Sequence, residues 1–388
     1  VGYFCNTTSA PFTVTLPAGT AGDVIAFADY AATWQTNALT VSPNGTEKMG
    51  GLNFSVSLST EGQSVTFVYV DSTQGWINTM DSTSNVRGGT SICASVSGSC
   101  NTLVTAPCCA NVKIATFTGP GSFTVNTIST TPAENTIGYM VVAGGGGGFL
   151  GAGGGGGFRE GRNVPIDNFT ASPLVANAPT NAVIVTATSY PITIGGGGAS
   201  NTSNGGNSVF STITSTGGGR GADYQGTGNS GGSGGGGGRD VSSTSVGNSP
   251  PVSPAQGQNG GGGVSSGPNS DYIGAGGGGG AGANGNPGTG NSLAVNEQGG
   301  AGGNGVANSI TGLSVTRAGG GGGFTQGPPN PGGAGGSGGG GVGGQGTAPN
   351  PLSNGTPGTI NTGGGAGGGS PAGGVGGSGI VIIRYKFQ

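Results

Sequence analysis

Apolar and polar residues alternate in short bursts along the first 80 residues, and each burst ends at a turn signal. Phe12-Thr13-Val14-Thr15-Leu16 alternates and stops at Pro17. Asp23-Val24-Ile25-Ala26-Phe27-Ala28 follows a glycine, and Ala38-Leu39-Thr40-Val41 runs into Ser42-Pro43-Asn44-Gly45. Phe54-Ser55-Val56-Ser57-Leu58 turns through Ser59-Thr60-Glu61-Gly62 into Ser64-Val65-Thr66-Phe67-Val68-Tyr69-Val70, and Gly75-Trp76-Ile77 follows. A period of two places alternate side chains on one face of a strand. Short strands at regular spacing between polar turns predict a small β-sandwich or meander over 1–80. No segment combines helical periodicity with helix caps.

A second β-rich stretch spans 81–143. Val112-Lys113-Ile114-Ala115-Thr116-Phe117 and Ser122-Phe123-Thr124-Val125 flank Gly119-Pro120-Gly121, which predicts a hairpin. The pattern then changes abruptly. Tyr139-Met140-Val141-Val142-Ala143 runs straight into five glycines, 144–148, and from there to 388 glycine runs alternate with short polar loops. β-branched segments still interrupt the glycine, at Ile192-Thr193-Ile194 and Val209-Phe210-Ser211-Thr212-Ile213. An apolar run suited to a buried strand, Ile380-Val381-Ile382-Ile383-Arg384-Tyr385, closes the chain within 380–387. Three parts result: a β module at 1–80, a cysteine-containing β-rich connecting module at 81–143, and a glycine-rich domain at 144–388.

Composition sharpens the third part. Of 98 glycines, 84 lie from Gly144 onward. Gly/Ser tracts are commonly flexible linkers, but linkers do not repeat a dozen times with loops and β-branched segments between. Collagen needs glycine at every third position, and 162–178 contains none. The remaining reading is a bundle of polyglycine helices with polyproline II geometry, three residues per turn and no internal hydrogen bonds. Backbones without side chains can pack directly, provided each N–H finds an acceptor on a neighbouring helix. A run of five would span about 15 Å at ~3.1 Å per residue. Gly-Gly-Gly-Gly-Gly-Phe occurs three times, ending at Phe149, Phe158 and Phe324, and these aromatics read as packing plugs. The predicted fold is thus mostly β modules followed by a polyglycine-II-type bundle with interspersed loops, and essentially no α-helix.

Charge and residue inventory exclude several kinds of chemistry. The chain has no His, so it holds no Ser-His-Asp triad and no His-ligated zinc or haem. A net charge of -3 with only 6% charged residues gives no basic footprint for nucleic acid. The longest apolar runs are far short of the ~20 residues of a membrane-spanning helix. No initiator Met and no basic-then-apolar leader precede Val1, which reads as the start of a processed or partial chain. Cys5, Cys93, Cys100, Cys108 and Cys109 are an odd set, spaced unlike a tetrahedral zinc site. They are read as disulfides in an oxidising setting, or as buried free thiols. The glycine runs also mimic catalytic motifs. No Gly-Lys pair exists for a P-loop, and Gly228-Asn229-Ser230-Gly231-Gly232 has no base to serve it as a nucleophile elbow. Glu160, Asp167, Asp223, Asp240, Asp271 and Glu297 are scattered rather than paired. No enzymatic activity, cofactor, metal, nucleic acid or membrane insertion is expected.

Two sets of residues resemble a known family. Ser9-Ala10-Pro11-Phe12-Thr13-Val14-Thr15-Leu16-Pro17, Ala21-Gly22-Asp23-Val24-Ile25-Ala26-Phe27-Ala28-Asp29-Tyr30 and Val65-Thr66-Phe67-Val68-Tyr69-Val70-Asp71-Ser72-Thr73-Gln74-Gly75-Trp76 are similar to a β module of tail-fibre proteins from marine and cyanobacterial phages. The tract from Tyr139-Met140-Val141-Val142-Ala143-Gly144 to Gly379-Ile380-Val381-Ile382-Ile383-Arg384-Tyr385 resembles the distal glycine-rich domain of such fibres. The resemblance implies a virion tail fibre, often homotrimeric, whose loops between glycine runs touch a host receptor, either a glycan or an outer-membrane protein. Loop residues of recognition type are Arg220, Asp223, Tyr224, Arg239, Asp271, Tyr272 and Arg317. The competing expectations are a purely structural subunit of an extracellular fibre or filament, and a cellular surface adhesin.

Overall fold

The structure is a computed structural model. It describes residues 1–82, 91–107, 109–164, 167–176, 182–265, 273–290, 298–327, 331–346 and 352–387. Almost all regular structure is β, and the one helix among the described residues is a 3-10 turn, Pro132–Asn135. The chain divides into two compact units, Val1–Gly89 and Thr90–Gln388.

The alternating strands of the first unit form where the period of two places them. They are β1 (Gly2–Cys5), β2 (Phe12–Thr15), β3 (Val24–Asp29), β4 (Leu39–Ser42), β5 (Val56–Leu58), β6 (Ser64–Asp71) and β7 (Gly75–Ser82). One sheet has the order β1-β3-β6-β7 and the other β2-β4-β5. The alternate residues Ile25, Phe27, Val65 and Phe67 turn inward and pack with Trp34, Leu39, Val41 and Trp76 in one core. Asp29 is buried at the end of β3 and accepts backbone N–H bonds from Thr33, Trp34 and Gly62 at 3.1, 3.2 and 3.1 Å. Its carboxylate thus ties two loops to the sheet. Gly75 opens β7 at φ +70°, and a Cβ there would lie 1.9 Å from the Lys48 carbonyl oxygen, so only glycine fits the turn.

The second unit begins with β8 (Cys93–Val96), β9 (Thr102–Ala106), β10 (Cys109–Phe117), β11 (Gly121–Thr127) and β12 (Thr136–Val142). It continues with β13 (Phe158–Gly161), β14 (Val183–Ile184), β15 (Ser189–Thr193), β16 (Ser208–Phe210) and β17 (Ile213–Ser215), and its last strand is Ile380–Lys386. One sheet runs β13-β12, then the last strand, then β10-β9; the other runs β17-β16-β15-β11-β8. The expected hairpin at 112–125 does not form. β10 pairs with β9 and the last strand, whereas β11 pairs with β8 and β15. The turn at Gly119–Gly121 carries the chain from one sheet to the other, because each strand has an apolar face to cover and the two sheets cover one another.

The last strand is buried on both faces. Val381, Ile383 and Tyr385 join Phe117, Phe123, Tyr139 and Phe210 in one core. Ile380 and Ile382 join Ile114, Met140, Val142 and Phe158 in another. Burial on both sides explains the unbroken apolar run, as in a central strand generally.

Beyond β12 the glycine runs bond to one another with a period of three. Gly144 donates to Gly206 O and Gly147 to Ser203 O, at 3.0 and 3.1 Å. Gly145 donates to Gly377 O and Gly148 to Gly374 O, while Gly146 donates to Gly154 O. The carbonyls repeat the pattern: Gly144 and Gly147 accept from Gly218 and Gly221, Gly145 and Gly148 from Gly198 and Asn201, and Gly146 from Ala366. One run therefore contacts six neighbouring segments. The next run does the same, with Ala152 and Gly155 donating to Gly276 and Gly279, and Gly154 and Gly157 to Gly219 and Thr216. Backbones approach so closely that a Cβ at Gly145 would lie 2.0 Å from the Gly364 carbonyl oxygen.

Cys5 is a buried free thiol, and Cys93 and Cys100 are exposed free thiols. Cys108 lies outside the described residues. The Cys109 sulfur accepts from Arg384 Nη2 at 3.5 Å.

Candidate recognition surface

Two loops that leave the glycine network lie against each other. Arg239 N donates to Tyr224 O at 2.7 Å and Gly238 N to Gly226 O at 3.0 Å. A Cβ at Gly238 would lie 1.8 Å from the Asp223 carbonyl oxygen, so glycine is what lets the loops meet. The Arg239 side chain folds beneath Tyr224. Its guanidinium carbon is 5.2 Å from the ring centroid, and Nη1 donates to the phenol oxygen. Arg239 Nε also lies 3.3 Å from Asp240 Oδ2. The arginine is 3% exposed and the tyrosine 49%. A cation over an aromatic face contributes ~0.5–2 kcal/mol, and here it fixes the ring with its exposed part outward. Asp223 is exposed beside it.

Arg220 is half-buried on the run that leads to these loops. Its backbone N–H donates to Asn204 Oδ1 at 2.9 Å, and its Nη1 to Asn201 O at 3.2 Å. Asn229 Nδ2 donates to the same Asn204 Oδ1 at 2.9 Å. Arg220, Asp223, Tyr224 and Arg239 thus belong to one neighbourhood of chain, with Arg239 as its buried support. Arg317 is elsewhere and only 7% exposed. It ends the ribbon strand Val315–Arg317 opposite Val306–Asn308, with Nη1 3.9 Å from the Met140 sulfur. Burial lowers its pKa to about 10. Asp271 and Tyr272 lie outside the described residues.

The sequence gives no direct sign of a buried polar network under the first sheet. Arg384, fully buried, donates to Ile310 O at 3.1 Å and Asn168 Oδ1 at 3.2 Å, and its Nε is 3.6 Å from Asp167 Oδ1. Burial raises the Asp167 pKa to about 6, against the backbone N–H of Asn163 and the charges of Arg384 and Arg162, which lower it. Glu160, on β13, accepts from Ser172 N and Asn308 Nδ2 at 2.9 Å each, and burial raises its pKa as well. The only available signal was an arginine inside an apolar strand, since a buried cation needs acceptors. This network bonds the last strand to Asp167, Asn168 and Ile310, and β13 to Ser172 and Asn308, which makes it a structural tie.

A family model described as a glycine-rich domain matches residues 118–386, more than two thirds of the chain. The chain belongs to this glycine-rich domain family. No curated protein matches it. The match begins inside the β-rich connecting stretch, at the end of β10, and runs through the last strand. The glycine-rich domain therefore includes β11, β12 and the closing strand as well as the glycine runs. Tyr224, Arg239 and the polar network all lie within it.

Proposed function

We propose that this chain is the receptor-binding end of an extracellular fibre, with a polyglycine II bundle as platform and the loops between its runs as recognition surface. A helix of three residues per turn returns to the same neighbour at every third residue, and the bonding of 144–148 and 152–157 has that period. Such a lattice satisfies N–H groups without side chains and holds its loops rigidly. The observation that carries the recognition reading is the Tyr224–Arg239 pair. An exposed ring is held against a buried, charge-paired arginine, and preorganised aromatic side chains are characteristic binding anchors. The viral setting, the homotrimer and a host-surface receptor rest on the tail-fibre resemblance of 9–30 and 65–76. The role is binding rather than catalysis.

Gold-labelled antibody against 144–388, viewed by electron microscopy on the source sample, tests the setting. Label at the tips of phage tail fibres is expected. Label on cell surfaces or along filaments, with virions bare, overturns the viral reading. Tyr224→Ala in the full chain is expected to weaken binding to host cells at least about tenfold, with melting lowered by no more than a few degrees for the lost contact with Arg239. Undiminished binding removes this site.

A further inference from the structure

The first unit carries a groove of its own, about 330 Å³, where its two sheets part. β5 and β7 are edge strands of opposite sheets, and the groove lies along them. Its walls include Met49, Phe54 and Trp76, and its polar side chains are Ser57, Gln63, Asn78 and Asp81. Phe54 is 48% exposed. The buried Gln63 donates through Nε2 to Asp81 Oδ1 at 3.0 Å, which fixes the carboxylate. An apolar wall with a few convergent polar groups is the usual make-up of a small-ligand site.

We propose that this groove binds an uncharged sugar residue. A hexose ring has a C–H face that suits the exposed Phe54, and hydroxyl groups that donate to carboxylate and amide oxygens such as those of Asp81 and Asn78. No Lys or Arg lines the groove, so a phosphate or an acidic sugar would meet a carboxylate without a counter-charge. An added peptide strand fits poorly. β5 has three residues, and the pairing of β7 with β6 is broken by two register shifts; short and bulged edges resist strand addition. The site is separate from Tyr224, so either assignment stands or falls alone.

The test is calorimetric titration of the full chain with the methyl glycosides of glucose, galactose and mannose, and with glucuronate as the charged comparison. One neutral glycoside is expected to saturate the chain with a millimolar dissociation constant, as its small size dictates. Glucuronate is expected not to bind. Asn78→Ala and Asp81→Ala are expected to weaken binding about tenfold or more, while Tyr224→Ala leaves it intact. Asn78 is exposed, so Asn78→Ala should melt like the parent; Asp81→Ala removes an acceptor from the buried Gln63 amide and should melt lower, so Asn78→Ala carries the comparison. No saturation up to about 50 mM, where a millimolar site would be nearly full, overturns the proposal. So does tighter binding of glucuronate, or an affinity that Asn78→Ala leaves unchanged.

Discussion

Two glycines of the network separate what packing demands from what composition merely permits. Gly145 lies in a run surrounded on all sides, and a Cβ there would lie 2.0 Å from the Gly364 carbonyl oxygen. That oxygen belongs to backbone already held in the bonding pattern, so it cannot swing aside as a side chain would. Overpacking of this kind costs ~1–3 kcal/mol or more, and Gly145→Ala should lower the melting temperature of the chain by several degrees. Gly196 has nothing within 4 Å of its Cβ direction and no left-handed φ. There alanine restricts only the unfolded chain, and a gain of ~0.4–1 kcal/mol is expected. Thermal melting of the two variants beside the parent checks both signs; an equal loss in each would mean that glycine acts through something other than backbone contact. The sequence shows both residues alike, because which glycines are surrounded depends on segments far along the chain.

At the scale of elements, strands were legible to the extent that their burial was one-sided or two-sided. The alternation of 64–70 and the continuous apolar run of 380–383 each state how many faces are covered, and β6 and the last strand follow. Partners were not legible. The turn at Gly119–Gly121 is a genuine turn signal, yet β10 and β11 enter different sheets, because alternation encodes a face and not a neighbour. Nor did the sequence reveal what anchors the last strand. Arg384 draws Asp167 and Asn168 onto it, and this has a consequence for pH. The folded pKa of Asp167, about 6, exceeds its ordinary value of 3.8. Between those values the folded chain retains a proton that the unfolded chain has lost, so stability declines as pH rises through this window. The raised pKa of Glu160 acts in the same direction. Glu134, held low by Lys386 and Ser129, acts oppositely but only in more acid solution. Melting followed from about pH 4 to 7 should show a midpoint for the Thr90–Gln388 unit that falls up to about pH 6, and Asp167→Asn should flatten that slope. A slope unchanged in the variant would assign the effect to other groups.

For the molecule as a whole, packing joins segments that lie far apart along the chain, as where Gly145 and Gly148 bond to Gly377 and Gly374. The glycine-rich tract announces that backbones pack together, but identical runs cannot say which meets which. The candidate surface shares this limit: Tyr224 and Arg239 are recognisable singly as loop residues, and only the network folds one beneath the other. Arg317 precedes a glycine run where Arg239 follows one; it is buried as well, with its Nη1 against the Met140 sulfur. The last strand shows the principle most plainly. It is antiparallel to β10 on one side and β12 on the other, although some 240 residues of chain lie between β12 and it. It supplies Val381, Ile383 and Tyr385 to one core and Ile380 and Ile382 to another. Truncating one large buried side chain costs ~2–5 kcal/mol, so losing five matches or exceeds the ~5–15 kcal/mol that holds a domain together. Deletion also leaves the inner edges of β10 and β12 without bonding partners. A chain ending at Gly379 should therefore lose the protease resistance of the Thr90–Gln388 unit. Among the described residues, the core of Val1–Gly89 draws on those between Cys5 and Trp76, and a resistant fragment of that unit should survive the same digestion. Loss of both units together would show that the first depends on the second for its stability. Retention of both would show that the glycine network holds without its closing strand.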